Sequence, residues 1–150
     1  MARDFQKIFI ALLIFLISCN RISSENFDEI YIDNGKDFIK INVKIADDNE
    51  EIMKGLMFRE KLEENSGMLF IFDDEQYQTF WMKNTLIPLD IIFISEDFMV
   101  INIEGAESCK TEPCEFYYSK RNSRYVLEVN KGISEKYGIK PGDFVKFYLS

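Results

Sequence analysis

The sequence predicts a mainly β (α+β) fold, a small, single-domain, β-barrel-like body with two short helices. Three observations lead to this prediction. The chain has 150 residues, which suits one compact domain. Hydrophobic residues make up 47% of the chain and aromatic residues 15%, enough to build a core. The apolar segments are short and turn signals separate most of them, a pattern typical of small barrels.

The N-terminal segment has the pattern of a targeting signal. Arg3 and Lys7 precede an apolar run over residues 8–17, which as a helix would extend only ~15 Å, about half of the ~30 Å bilayer core. The run ends in Leu-Ile-Ser before Cys19, which resembles a bacterial lipoprotein signal. We therefore expect a signal peptide over residues 1–18, a lipidated tether over 19–37 and a folded domain over 38–150. Acyl chains on Cys19 would hold the protein on a membrane of the cell envelope.

The body is predicted to consist of short strands and two short helices. Residues 30–32 have the composition of a short strand inside the tether. A helix follows the capping residue Asp47 or Asp48, and a second helix over 134–137 ends at Gly138. A short apolar strand over 68–72 ends where Asp73 begins an acidic run. Further strands are expected over residues 38–45, 80–85, 90–95, 98–103, 125–129 and 144–149.

Charge and composition exclude several classes of function. The formal net charge of −8 opposes binding to nucleic acid, because phosphate contacts need a basic surface. The chain contains no His. This excludes Ser-His-Asp and Cys-His catalysis within the chain, and every His-ligated metal site. No cofactor is expected.

Six stretches of the body share a pattern with one known family. They are Gly-Leu-Met-Phe-Arg at 55–59, Gly-Met-Leu-Phe at 67–70, the run over 80–94, Tyr-Val-Leu-Glu-Val at 125–129, Gly-Ile at 138–139 and Gly-Asp at 142–143. In this order they strongly resemble the domain of unknown function 192 family, a widespread prokaryotic group of mostly exported proteins. The resemblance covers about residues 38–149 and implies a compact, β-barrel-like fold with short helices. It implies no activity, because the family is named for lacking an established one.

Cys109 and Cys114 form a C-x4-C loop. Outside the cytoplasm two nearby thiols usually form a disulfide. A metal clip would need two further soft ligands, and a redox-active pair usually has C-x-x-C spacing. The pair therefore predicts a structural disulfide.

The segment over residues 80–90 is the most informative about function. As a strand it would mix apolar and polar side chains on both faces. One interpretation is structural: Asn84 and Thr85 satisfy turn backbone groups, Asp90 pairs with Lys83 or Arg59, and Trp81 packs. The other is a pocket rim, with Trp81 as a stacking surface for a sugar or peptide. In that case the polar contacts would come from Arg59, Lys83, Asn84, Thr85 and Asp90.

Two further functions have weaker candidates. A hydrolase acting on envelope sugars would need two facing carboxylates, and Asp73, Asp90 and Glu128 are available. A copper-binding accessory protein would use the thioethers of Met57, Met68 and Met82. The favoured interpretation is a lipid-anchored extracytoplasmic protein that binds a ligand or supports another envelope component, with catalysis less favoured.

Overall fold

The computed structural model describes residues 28–148. The predicted signal peptide and Cys19 lie outside these residues. Within them, no helix is long and apolar enough to cross a membrane. The elements in chain order are β1 (Asp28–Asp33), β2 (Phe38–Ala46), α1 (Asn49–Lys54), β3 (Ser66–Gln76), β4 (Thr79–Trp81), β5 (Leu89–Ile94), β6 (Val100–Ala106), β7 (Phe116–Tyr118), β8 (Ser123–Asn130), α2 (Ile133–Tyr137) and β9 (Phe144–Tyr148).

Seven strands form one curled sheet in the order β6-β5-β8-β3-β2-β1-β9. Among the strands of residues 28–148 only β2 and β3 pair in parallel, and α1 lies in the connection between them. The two ends of the sheet meet at a bridge between Met99 and Phe144, where Val145 N donates to Phe98 O at 2.8 Å. The predicted mainly β, barrel-like domain with two short helices is therefore confirmed as a half-barrel.

Alternation along the strands gives the sheet a core on each face. Ile41, Leu69 and Leu127 belong to the cluster on one face. Phe70 and Phe93 belong to the cluster on the other face, which includes Leu56 from the segment after α1. The second face is also covered by a separate two-stranded ribbon made of β4 and β7. This ribbon carries the candidate site.

The predicted start of α1 and the predicted end of α2 are both confirmed. The Asp48 carboxylate caps α1 by accepting a hydrogen bond from Glu51 N at 2.8 Å. α2 ends at Gly138, whose φ of 64° is the left-handed conformation that glycine adopts without steric cost.

Several strand boundaries differ from the prediction; β6, for example, spans Val100–Ala106 where 98–103 was expected. β3 continues beyond Asp73, because its pairing with β8 is irregular between Ile71 and Gln76 and leaves the acidic run in solvent. β4 ends at Trp81, since the chain turns there. β7 was not predicted. β1 pairs with both β2 and β9, so residues 28–37, which were predicted as part of the tether, belong to the folded body.

Candidate functional site

The β4–β7 ribbon divides its aromatic side chains between two faces. Phe80 faces the core, where its ring makes edge contacts with Phe70 and Phe93 at centroid distances of 5.0 and 6.0 Å. Trp81, which follows Phe80, lies opposite Phe116 in the register. Because side chains alternate along a strand, Trp81 and Phe116 share the outer face. The inner rings fix the ribbon on the sheet and leave the outer rings to solvent.

The outer rings form an exposed aromatic surface. Trp81 and Phe116 have ring centroids 6.0 Å apart and planes only 7° from parallel. Tyr118 continues the row, with its centroid 6.5 Å from that of Phe116. The three residues keep 42%, 48% and 57% of their surface exposed. We call Trp81, Phe116 and Tyr118 the aromatic platform. Contiguous exposed rings of this kind usually mark a binding surface.

Polar groups stand at the Trp81 end of the platform. The Lys83 ammonium lies 5.4 Å from the centre of the Trp81 ring and 3.0 Å from a carboxylate oxygen of Glu112. Asn84, which follows Lys83 in the loop, is exposed. Thr85 is buried, and its hydroxyl donates to Lys83 O at 3.5 Å. Lys83, Asn84 and Glu112 are therefore available to a ligand, whereas Thr85 stabilises the turn.

The predicted disulfide is present. Cys109 and Cys114 are bonded, with their Cα atoms 5.5 Å apart. The loop that they close contains Glu112, the partner of Lys83, and leads directly into β7. The disulfide therefore restrains both the polar edge of the platform and the strand that supplies Phe116.

Arg59 lies in a loop that contacts the loop after β4. Phe58 N donates to Asn84 O at 2.8 Å, so the loop that carries Arg59 contacts the loop that follows β4. Both Phe58 and Asn84 are non-glycine residues with positive φ angles, 63° and 57°. Such a conformation costs energy and is often found at functional sites. Arg59 itself lines a groove, together with Gly55, Met57 and Phe58.

Asp90 does not belong to the platform. It is buried, and one of its carboxylate oxygens accepts hydrogen bonds from Gly132 N at 3.1 Å and from Ser134 N at 2.9 Å. Gly132 begins α2 without a side chain that could cap it, so Asp90 supplies the cap from β5. The expected pairing of Asp90 with Lys83 or Arg59 is therefore wrong, because these backbone N–H groups are its hydrogen-bond donors.

The carboxylates proposed for hydrolysis are not brought together. In the β5–β8 pairing Asp90 lies opposite Val129, and Glu128 lies opposite the next residue of β5, Ile91. Asp90 and Glu128 therefore face opposite sides of the sheet. Asp73 is exposed in the irregular part of β3. No two of these three candidates flank a common cleft, as a glycosidase would need.

Glu128 is nonetheless unusual. It keeps 5% of its surface exposed, and its neighbours across the two adjacent strands are Met68 and Ile91. Among residues 28–148 no group hydrogen-bonds its carboxyl or forms an ion pair with it. Burial raises the pKa of the Glu128 carboxyl to about 8, because the charged form is poorly solvated there.

The three methionines do not converge in one depression. Met57 and Met68 line the groove of Arg59. Met82 is 1% exposed and lines a different depression beside the disulfide. Residues 28–148 also contain no cluster of three or more His, Cys, Asp or Glu side chains that could hold a metal ion.

Sequence reasoning missed two of the three platform rings. Phe116 and Tyr118 lie in Phe-Tyr-Tyr, a short aromatic run directly after the Cys114 segment. A run of three aromatic residues is a strand signal in itself, and its alternation would have placed the first and third rings on one face. Its pairing with β4 depends on residues more than thirty positions away and is not visible locally.

Comparison with known proteins shows similarity to an uncharacterised group. A family model for DUF192, described as Uncharacterized ACR, matches residues 30–147. A crystal structure from Sinorhizobium meliloti 1021, described as that of a "putative transcription regulator", is similar with 31% identity and a TM-score of 0.75, covering 81% of this chain and 94% of that one. A protein of unknown function from Novosphingobium aromaticivorans DSM 12444 is similar with 33% identity and a TM-score of 0.74, covering 86% and 91%. No curated protein matches the chain significantly.

Proposed function

The chain belongs to the DUF192 family, and we propose that it is a lipid-anchored protein of the cell envelope that binds a sugar ring on its aromatic platform. The observation that carries this proposal is the pair Trp81 and Phe116, held nearly parallel and open to solvent. Exposing apolar rings to water costs a folded protein free energy. A ligand that covers the rings removes this cost, which favours binding.

A sugar fits the platform better than the other ligand classes. The C–H faces of a pyranose ring pack on flat aromatic surfaces, while its hydroxyls need hydrogen-bonding groups at the edge. Lys83, Glu112 and Asn84 supply a donor, an acceptor and an amide at that edge. A nucleic acid base would also stack, but its phosphates would meet a chain with a net charge of −8. A peptide is the alternative occupant.

The sequence supports the location. The short apolar run after Arg3 and Lys7, and its end at Cys19, have the order of a lipoprotein signal. The disulfide agrees with an oxidising compartment. A protein held at the envelope by its N-terminus would meet the glycans of that compartment at high local concentration.

Tryptophan fluorescence tests binding at the platform directly, since Trp81 is the one Trp of the chain. The Cys19→Ser form of residues 19–150 is titrated with N-acetylchitotriose and with a peptidoglycan disaccharide, each up to about 10 mM. We expect a saturable change in Trp81 emission, lost in Phe116→Ala. Phe38→Ala, at an exposed ring on β2, is the matched control and should bind normally.

Two outcomes of the titration would refute sugar binding. One is constant emission with both sugars. The other is a saturable response to an unstructured peptide mixture with none to either sugar, which would assign the platform to peptides. The anchor is tested separately by mass spectrometry of the native protein. We expect a mature N-terminus at Cys19 that carries acyl chains, and an unmodified N-terminus would contradict the anchor.

A further inference from the structure

The groove lined by Gly55, Met57, Phe58 and Arg59 contains none of the platform residues. It has a volume of about 560 Å³, within the range of small-molecule sites. Met57, Met68 and Phe58 give it apolar walls. Phe58 is 66% exposed and held at a positive φ of 63°, so its ring is presented to solvent by a strained backbone.

The groove is positively charged although the chain is acidic. Lys44, Lys54 and Arg59 line it, against one carboxylate, that of Glu51. The side chains of Lys54 and Arg59 form no ion pair or hydrogen bond with any of residues 28–148. Elsewhere in the described chain several lysines are paired with carboxylates, as Lys131 is with Glu107 at 2.6 Å. The two cations are therefore free to bind an anion.

Glu128 lies beneath the floor of this groove. Gly55 lines the groove, and a Cβ placed on it would lie 3.3 Å from the ring of Phe70 and 4.0 Å from Glu128 Oε2. Met68, the neighbour of Glu128 on β3, also lines it. Gly55 has no side chain to cover the carboxyl, and its φ of 47° is a conformation that other residues rarely adopt.

We propose that this groove binds an organic oxyanion, a phosphate monoester or carboxylate with an apolar portion, held by Arg59 and Lys54 at the rim and by the Glu128 carboxyl at the floor. The guanidinium group of Arg59 can donate two parallel hydrogen bonds to a phosphate or carboxylate. Met57, Met68 and Phe58 would contact the carbon skeleton. The site is separate from the platform, and its test does not depend on sugar binding.

The protonation of Glu128 favours this assignment. With its pKa raised to about 8, the carboxyl carries a proton near pH 7 and can donate an O–H hydrogen bond to an anion. A buried carboxylic acid kept neutral in an apolar setting is a known device for holding an oxyanion. An ionised carboxylate at the same place would repel the ligand instead.

Three probes that share one ring test the chemistry: phenyl phosphate, benzoate and benzyl alcohol. Each is added to 15N-labelled protein (residues 19–150, Cys19→Ser) at pH 6.5, and the amide signals of Gly55 and Arg59 are followed. We expect saturable shifts with at least one of the two anions and none with the uncharged alcohol. The anion that binds more tightly identifies the ligand as a phosphate or a carboxylate.

Variants assign the contacts. Arg59→Ala should weaken binding of the anion about tenfold or more, whereas Arg121→Ala, an exposed arginine in the segment before β8, should leave it within about twofold. Glu128→Leu removes the floor donor while keeping an apolar core, so it should weaken binding several-fold in a protein that remains folded. Equal losses in the two arginine variants would reduce the effect to general charge attraction. That result would overturn the proposed site. So would the absence of any shift at Gly55 and Arg59, or unchanged binding in Glu128→Leu.

Discussion

Replacing Glu128 with Gln should remove most of the pH dependence of stability between pH 5 and 8. Glu128 is the described group whose pKa moves into this range, to about 8 from its ordinary 4.5, because burial penalises its charge. The folded state holds the proton more tightly than the unfolded state. Its contribution to stability is therefore complete below pH 4.5 and is lost as the pH rises to 8.

The magnitude follows from the two pKa values, which differ by about 3.5. At 1.36 kcal/mol for each pH unit, the free energy of unfolding should fall by about 5 kcal/mol in total over this interval. Few other groups obscure the effect. The chain has no His, the side chain that ordinarily titrates in this range. The pKa values of Glu29, Glu64 and Glu107 are lowered from 4.5, so what these carboxylates contribute to stability is lost only as the pH falls below 4.5.

Urea unfolding of the wild type and of Glu128→Gln, at pH 5, 6, 7 and 8, measures the effect. The wild type should lose stability at each step, and the variant should be nearly flat. The two should be similar at pH 5, because a neutral carboxyl and an amide have similar burial costs, and the variant should be the more stable at pH 8. Parallel curves for the two proteins would refute the assignment of a protonated, buried Glu128.

Three further predictions test the fold. Gly67→Ala should destabilise the protein by about 1–3 kcal/mol in thermal unfolding, because its new Cβ would lie 2.5 Å from a backbone oxygen of β8. Gly105→Ala should cost much less, because its new Cβ would lie 3.4 Å from the flexible Lys131 side chain and 3.9 Å from Asp90 Oδ1. Asp90→Ala should lower stability by about 1–3 kcal/mol, since two backbone N–H groups at the start of α2 lose their acceptor; an unchanged melting temperature would contradict its capping role. Replacing Cys109 and Cys114 together with Ser should cost about 2 kcal/mol, the loop entropy of so short a ring, and should make the melting temperature insensitive to reductant.

Local patterns predicted the parts of the fold that depend on neighbours in the sequence. β2 followed from strict alternation between polar and β-branched residues, and α1 from the capping carboxylate of Asp48. The mixture of apolar and polar side chains over residues 80–90 left two interpretations of Trp81, packing or a stacking surface, and the structure exposes its ring on the outer face of the ribbon. These features depend on spacings of a few residues, which a sequence shows directly.

Features that depend on pairing between distant strands were missed. Asp90 caps a helix 42 residues further along the chain, so its role could not be inferred from nearby charges. The register of β5 against β8 places Asp90 and Glu128 on opposite faces, which removes the carboxylate pair that composition alone allowed. Phe116 completes the platform only because β7 pairs with β4.

Intermolecular nuclear Overhauser effects between a bound sugar and the aromatic rings test the central proposal most directly. In the complex with N-acetylchitotriose, we predict contacts from the sugar ring C–H protons to the indole of Trp81 and to the ring of Phe116, which lie 6.0 Å apart. Contacts from the sugar to the exposed rings of β2 and β9 instead, with none to Trp81, would contradict the proposal.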